Sequence, residues 1–481
     1  MIYRISIPRV IFCVLILCVC LPFFQACKTQ QSIDNLASVK KNVLFIMVDD
    51  LRPELGVYGA NYIVSPHIDK LAKNGVAFNR AYCNVPVCGA SRSSLISGLR
   101  PTNNRFLTFD ASMKDEVPNV LTVIDHFNNL GYTTVSNGKI THHKNDIQGK
   151  WNEEWTPISK DWRNYLTEEN NQLIKNGKHG NAYEKADVQD DAYYDGQIAA
   201  KSIEDLKKLK SEGNPFFLAV GFLKPHLPFN APKKYWDLYN ENQIKLPDNY
   251  VFPTSAPEIA NHNWGELRYY NGIPQDGPVT DEMAKKLIHA YYASVSFIDA
   301  QVGKVVQALD DLGLRESTSI ILVGDHGWSL AEHGLWAKHS NFHVALQIPL
   351  IISDASLPKG KKTESIAEMV DLYPTICDLA RVPIPEHVDG TSLKQAANNP
   401  KKIYKSQALA RWQKGETLIA NNYFYTEWIK DEKTIAKMLY DHNIDPNENR
   451  NLAVEEAFKP LVDSLRNMLH QQIANYKTSN N

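Results

Sequence analysis

The sequence predicts an α/β protein built on a mainly parallel sheet, and three observations predict it. Short apolar runs rich in β-branched and aromatic residues alternate with stretches of helical period, the pattern of strands joined by crossover helices. Four of those runs end in charged residues, at the edge where an open parallel sheet keeps its binding crevice. The composition is that of an ordinary globular chain: 481 residues, 43% apolar, 52 basic against 54 acidic, formal charge −2. That balance excludes a general nucleic-acid or acidic-membrane footprint, because no overall positive field exists to collect phosphates. An anionic ligand has to be met by local lysines.

The first element is an export signal. Arg4 and Arg9 flank the start of an apolar run over residues 10–24, followed by small and polar residues, the order of a secretory leader. The run is shorter than the roughly 20 residues a spanning helix needs, and Pro22 interrupts it. Phe24-Gln25-Ala26-Cys27 resembles a bacterial lipobox, with Cys27 the lipidated residue. The expected location is therefore the periplasm or an outer-membrane lipoprotein, with membrane contact only through the N-terminal lipid anchor. Residues 1–27 read as the leader and 28–40 as a linker. Only Cys83, Cys88 and Cys377 lie beyond Cys27, too few for a disulfide framework.

Strands are predicted over residues 43–48, 133–135, 216–222, 320–323 and 348–352. The clearest helix covers 281–312, where Met283, Leu287, Tyr291, Val295, Ile298, Val302, Val305 and Leu309 recur at three- and four-residue steps and Gly313 supplies the stop. A shorter helix is predicted over 202–209. Residues 145–192 and 248–280 are polar, aromatic-rich and weakly periodic, as insertions that line a site are. From about residue 401 the pattern changes to a strand over 417–425 and a closing amphipathic helix over 454–474.

The strand ends carry the candidate chemistry. The first ends in Asp49-Asp50, the second leads to Lys139 and His142, the third to Lys224-Pro225-His226, and the fourth to Asp325-His326. Each alone has a plain reading as a turn, a cap or a solvated surface. Four strands delivering charge to one edge is more than solvation requires. The prolines around His226 stiffen its loop, and Asp49, Asp50 and Asp325 suit a hard divalent cation. Zinc is disfavoured, because Cys83 and Cys88 have no second ligand pair nearby.

The run Cys88-Gly89-Ala90-Ser91-Arg92 resembles the signature of the formylglycine-dependent sulfatases. Further matches are Val48-Asp49-Asp50-Leu51-Arg52-Pro53, Lys224-Pro225-His226, Tyr292-Ala293-Ser294-Val295-Ser296, Asp325-His326-Gly327-Trp328, and Glu332-His333-Gly334-Leu335-Trp336-Ala337-Lys338. The resemblance spans residues 42–452 and points toward the iduronate-2-sulfatase-like branch. It implies an alkaline-phosphatase-like fold: a large mixed, mainly parallel sheet sandwiched by helices in a catalytic domain over 41–400, with a smaller α+β subdomain over 401–481. It also implies that Cys88 becomes formylglycine, whose hydrate attacks sulfur through a sulfo-enzyme intermediate. One Ca2+ ion would be held by Asp49, Asp50, Asp325, His326 and the residue made from Cys88. Arg92 would stabilise the hydrate, Lys139 and Lys338 would neutralise the sulfate oxygens, Lys224 would help bind substrate, His226 would protonate the leaving oxygen, and His142 would take the proton that releases sulfate.

The implied partners are a sulfated oligosaccharide and a formylglycine-generating or sulfatase-maturating enzyme. The implied reaction is exo-acting 2-O-desulfation of uronic acid in glycosaminoglycan fragments. Three departures stand out: His326 replaces an asparagine of many sulfatases, Gln347 stands where many have arginine, and Phe424 replaces another arginine. Two other classes compete. A phosphomonoester or phosphonate hydrolase would want a Ser or Thr nucleophile and a second metal site, and a non-catalytic glycan binder would be expected to lose catalytic groups.

Overall fold

The computed structural model describes residues 40–143, 145–157, 161–431 and 433–479. The predicted leader with Cys27, and the linker up to residue 39, lie outside the described residues. Among the described residues, no helix is long and apolar enough to cross a membrane.

Eight strands form the main sheet: β1 (Asn42–Val48), β2 (Val76–Phe78), β3 (Thr133–Gly138), β4 (Glu153–Trp155), β5 (Phe216–Phe222), β6 (Thr318–Gly324), β7 (Leu350–Ser353) and β8 (Lys361–Thr363). Their order is β8-β2-β7-β6-β1-β5-β3-β4. β1 runs parallel to β5 and β6, and β3 runs parallel to β5. β7 is antiparallel to both of its neighbours, which makes the sheet mixed. The central strands are buried along nearly their whole length, so they read as unbroken apolar runs rather than alternating ones. The helices that matter for the site and its support are α1 (Cys88–Ser97), α2 (Tyr194–Glu212), α3 (Asp281–Asp311) and α4 (Leu372–Ala380). α2 lies against β3 and β5, and α4 lies against β1.

Three predicted elements are corrected. The helix expected over 202–209 is only the second half of α2. Its first half buries Asp195 and Gly196 beside Ile198 and Ala199, so the apolar period that marks a helix face is diluted there. The strand expected over 348–352 breaks at Pro349, which has no N–H to give a ladder. Residues Gln347–Ile348 pair instead with Ala81–Tyr82 in a separate small sheet. The strand expected over 417–425 is a hairpin. It turns at Asn421-Asn422, where Asn421 takes a left-handed φ of 52°, a conformation asparagine tolerates.

That hairpin belongs to a four-stranded antiparallel sheet of β9 (Gln407–Trp412), β10 (Gly415–Ala420), β11 (Tyr423–Lys430) and β12 (Lys433–Asp441). The closing helix α5 (Lys459–Ser479) packs Val462, Leu465 and Leu469 against Leu418, Tyr425 and Leu439 of this sheet. It starts five residues later than predicted because short 3-10 turns occupy Leu452–Val454 and Glu456–Phe458. Leu469 is fully buried. Leu469→Ala is therefore expected to cost about 2–5 kcal/mol, read as a lowered urea midpoint for loss of the C-terminal packing. A midpoint equal to wild type would mean that α5 does not hold the sheet.

Candidate active site

β1, β3, β5 and β6 run in one direction, so their carboxyl ends meet at one edge of the sheet. Asp49-Asp50, Lys139, Lys224 to His226, and Asp325-His326 follow those ends directly. Asp50 adopts a left-handed φ of 58°, a conformation unusual for a residue with a side chain. Its N–H donates to Asp325 Oδ1 at 3.0 Å, as does the N–H of His326.

Cys88 is the first residue of α1, with Val87 as the extended N-cap. The helix start points backbone N–H groups and the positive end of the helix dipole into the site, which suits an anionic ligand. Cys88 is 2% exposed, and its Sγ lies 3.2 Å from His326 Nε2. Burial, with Asp49 nearby, pushes its thiol up. The unmodified side chain is therefore held neutral and is a poor nucleophile.

Arg92, one helical turn on, is 1% exposed and joins the strand ends together. Its Nε donates to Asp325 Oδ2 at 3.0 Å and its Nη2 to Asp49 Oδ1 at 3.1 Å. Its Nη1 donates to the carbonyls of Lys139 at 2.6 Å and Ile140 at 3.1 Å. Lys139 pairs with the other oxygen of Asp49. Burial works against the charge on Asp49, but Lys139 and Arg92 outweigh it and hold the carboxyl well below its usual range. Asp50 moves the other way: burial raises it, against the pull of Lys338.

Lys338 Nζ lies 3.1 Å from Asp50 Oδ1 and 3.0 Å from Glu266 Oε1, and 5.0 Å from the centre of the Trp328 ring. His226 Nε2 lies 3.1 Å from Glu266 Oε1 and 3.9 Å from Asp50 Oδ2. Burial and Lys338 oppose protonation of His226, yet Asp50 and Asp49 bring it up to about 9. His142 is the opposite case. Burial and then Lys139 bring it down to about 3, and its buried Nδ1 has no hydrogen-bond partner among the described residues. That favours a neutral imidazole, one nitrogen of which can accept a proton.

Glu266 was missed. It sits in the insertion over 248–280, which was expected to line the site, but it follows no strand and no spacing singles it out. Only the fold brings it to Lys338 and His226. Lys224, expected to bind substrate, is placed with its ammonium on the carbonyls of His226 at 2.9 Å and Pro228 at 2.8 Å, where it shapes its own loop. The two departures from arginine make contacts of their own. Gln347 donates to the carbonyl of Asn79, and Phe424 is buried and stacked on His442.

Ligand atoms of Asp49, Asp50, Cys88 and His326 all lie within 4.8 Å of one another. Two of the four are carboxylates, which fit a hard divalent cation; the thiol fits poorly until oxygen replaces its sulfur. Asp325 lies beside the cluster with Oδ1 accepting two N–H groups and Oδ2 accepting from Arg92, which leaves Oδ2 one lone pair for a cation. Asp50, His226 and Glu266 form a second such group. There the ammonium of Lys338 already stands between Asp50 and Glu266.

A family model described as "Sulfatase" matches residues 41–382, and one described as "N-sulphoglucosamine sulphohydrolase, C-terminal" matches 331–475. The mouse (Mus musculus) protein iduronate 2-sulfatase is 37% identical over 394 residues, covering 73% of this chain and 70% of its own. A solved structure of a protein bound to its substrate D-glucosamine-2-N,6-O-disulfate superposes with a TM-score of 0.75 at 20% identity, covering 92% of this chain and 99% of its own. A phosphonate monoester hydrolase from Silicibacter pomeroyi superposes with a TM-score of 0.77 at 22% identity, covering 91% and 96%. The fold is thus shared with a protein that takes a disulfated glucosamine and with a phosphonate monoester hydrolase.

Proposed function

The chain belongs to the sulfatase family and is a sulfuric ester hydrolase, and from that premise we propose that it removes the 2-O-sulfate from a terminal uronic acid of glycosaminoglycan fragments, acting from the chain end. The observation that carries the reading is the pairing of Cys88 and Arg92 on one helix turn with lysines on both sides of the space where sulfate would sit. The name of the 37%-identical mouse relative supplies the sugar and the position.

With Cys88 converted to formylglycine, the hydrated aldehyde would supply the attacking oxygen, and Asp49, Asp50, Asp325, His326 and the modified residue would hold a calcium ion that would supply positive charge beside the sulfate. Lys139 and Lys338 meet the charge that builds on the other sulfate oxygens. Protonated His226 donates to the oxygen of the departing sugar, and neutral His142 accepts the proton whose removal frees sulfate. Arg92 keeps Asp49 and Asp325 in place beneath them. Cys88 is too buried in the folded chain for another enzyme to reach, so a formylglycine-generating or sulfatase-maturating enzyme would have to act before folding is complete. The leader read over residues 1–27 supports a reaction outside the cytoplasm, in the periplasm or on a lipid-anchored chain.

A panel of mono- and disaccharides, each with one sulfate at a defined position, tests the reading. Sulfate is expected from 2-O-sulfated terminal uronic acids, and release confined to a sulfated glucosamine would overturn the sugar assignment. Chelation with EGTA is expected to abolish the activity and added calcium to restore it. Full activity in excess EGTA would remove calcium from the scheme.

A further inference from the structure

Glu266 stands in the catalytic centre, and the mechanism above gives it no part. It lies on a single turn, Gly265–Arg268, inside the irregular insertion over 248–280. That turn has a fixed seat. Trp264 before it, Leu267 within it and Tyr270 after it are all buried. The Arg268 guanidinium lies 3.6 Å from the centre of the Trp264 ring and donates to the carbonyls of Asn263, Pro274 and Gly277, which closes the insertion on itself. A loop bound in this way presents Glu266 from a rigid base.

One oxygen of Glu266 serves two cationic partners. Oε1 lies 3.0 Å from Lys338 Nζ and 3.1 Å from His226 Nε2. Each partner needs that second point to be fixed. Lys338 ends a flexible four-carbon stem, and its ammonium also lies 3.1 and 3.3 Å from the two oxygens of Asp50. His226 has Nδ1 at 2.6 Å from the carbonyl of Leu227, and a carbonyl only accepts, so Nδ1 carries hydrogen. Nε2 faces the carboxylates of Glu266 and, at 3.9 Å, Asp50; an ionised carboxylate also only accepts, so Nε2 carries hydrogen too. The rings of Trp162 and Trp328 beside the imidazole offer it no acceptor. A single hydrogen bond at Nδ1 lets the ring tilt about it, and the bond from Nε2 to Glu266 stops that tilt.

We propose that Glu266 is a positioning residue for sulfate-ester cleavage: its Oε1 holds His226 and Lys338 to one point, so that the Nε2 hydrogen meets the leaving oxygen while the ammonium stays on the sulfate. The inference rests on the reading above, in which His226 is the proton donor and Lys338 meets sulfate charge. As the ester bond breaks, its electron pair stays on the sugar oxygen, which takes the Nε2 proton and leaves a neutral imidazole. A donor misplaced by about 1 Å costs on the order of a hundredfold in rate. Glu266 therefore acts on bond cleavage rather than on substrate binding.

The test uses the full chain carrying formylglycine and calcium, with the sulfated sugar of the panel that it cleaves fastest. Glu266→Ala is expected to lower kcat about a hundredfold with KM within about threefold of wild type, the pattern of an interaction lost from the transition state alone. Glu266→Gln keeps the shape and an accepting oxygen but not the charge that holds two cations, and is expected to recover part of the loss. In a His226→Gln background the loss from either change is expected to shrink to about threefold or less, because no proton donor is left to position and Asp50 still holds Lys338. Crystal structures of wild type and Glu266→Ala are expected to differ by more than about 0.5 Å at His226 Nε2 or Lys338 Nζ. Wild-type kcat in either folded variant overturns the proposal, as does an undiminished loss in the His226→Gln background or a rise in KM that accounts for the loss. If wild type releases sulfate from no sugar of the panel, the substrate reading fails on that result alone. The two crystal structures then decide the positioning, and both groups unmoved overturns it.

Discussion

Cys88→Ala protein is expected to release no measurable sulfate while folding as the wild type does. Removal of a hydrolase's nucleophile costs on the order of a millionfold in rate, and no other group among the described residues of the site can supply the missing oxygen. His326 stands only as a neighbour of the sulfur, its Nε2 at 3.2 Å. The stability cost is small, about 1 kcal/mol, because the thiol is neutral and its loss strands no buried charge. Two measurements check this together: sulfate release from the best disaccharide, and the thermal midpoint. An active Cys88→Ala protein would sink the mechanism. Activity in proportion to the fraction of the Cys88 peptide that carries formylglycine, read by mass, is the matching result in wild type.

Arg92→Ala is expected to fail for a different reason, through stability. The guanidinium is the shared partner of Asp49 and Asp325 and of two backbone carbonyls, and all of these groups are buried. Removing one member of a buried ion pair leaves an uncompensated charge and costs about 3–5 kcal/mol. The urea midpoint should fall accordingly, and with it sulfate release, since Asp49 would be left with Lys139 as its main cation. Arg92→Lys should recover little. An ammonium is a compact donor that cannot span two carboxylates and two carbonyls at once. A variant with wild-type stability would show that the site tolerates the bare carboxylates, as it could if the bound cation dominates their charge.

Much of the scaffold was legible from residues alone. The runs over 43–48, 216–222 and 320–323 are apolar without interruption because both faces of the central sheet are covered. Helix α3 shows its apolar period along its length, with Thr280 capping its start through the N–H of Met283. The misreadings share a cause, since each needed information from a partner segment. The 417–425 hairpin looked like one strand because its turn is only Asn421-Asn422. Helix α2 hid its first half because Asp195 is buried there, where it accepts from the N–H of Leu223 at 2.6 Å.

The same division runs through the site. The sequence determined by itself the set of groups at the strand ends, since a parallel sheet sends every carboxyl end to the same edge and each apolar run hands its next few residues to that edge. Cys88 and Arg92 were likewise determined locally, because four residues make one helical turn. Only the tertiary structure decided which charges are paired. It placed Glu266 from a long irregular insertion against Lys338 and His226 and turned Lys224 inward onto its own loop. Side-chain pairing depends on distances between segments far apart in the chain, and no local period or spacing encodes those.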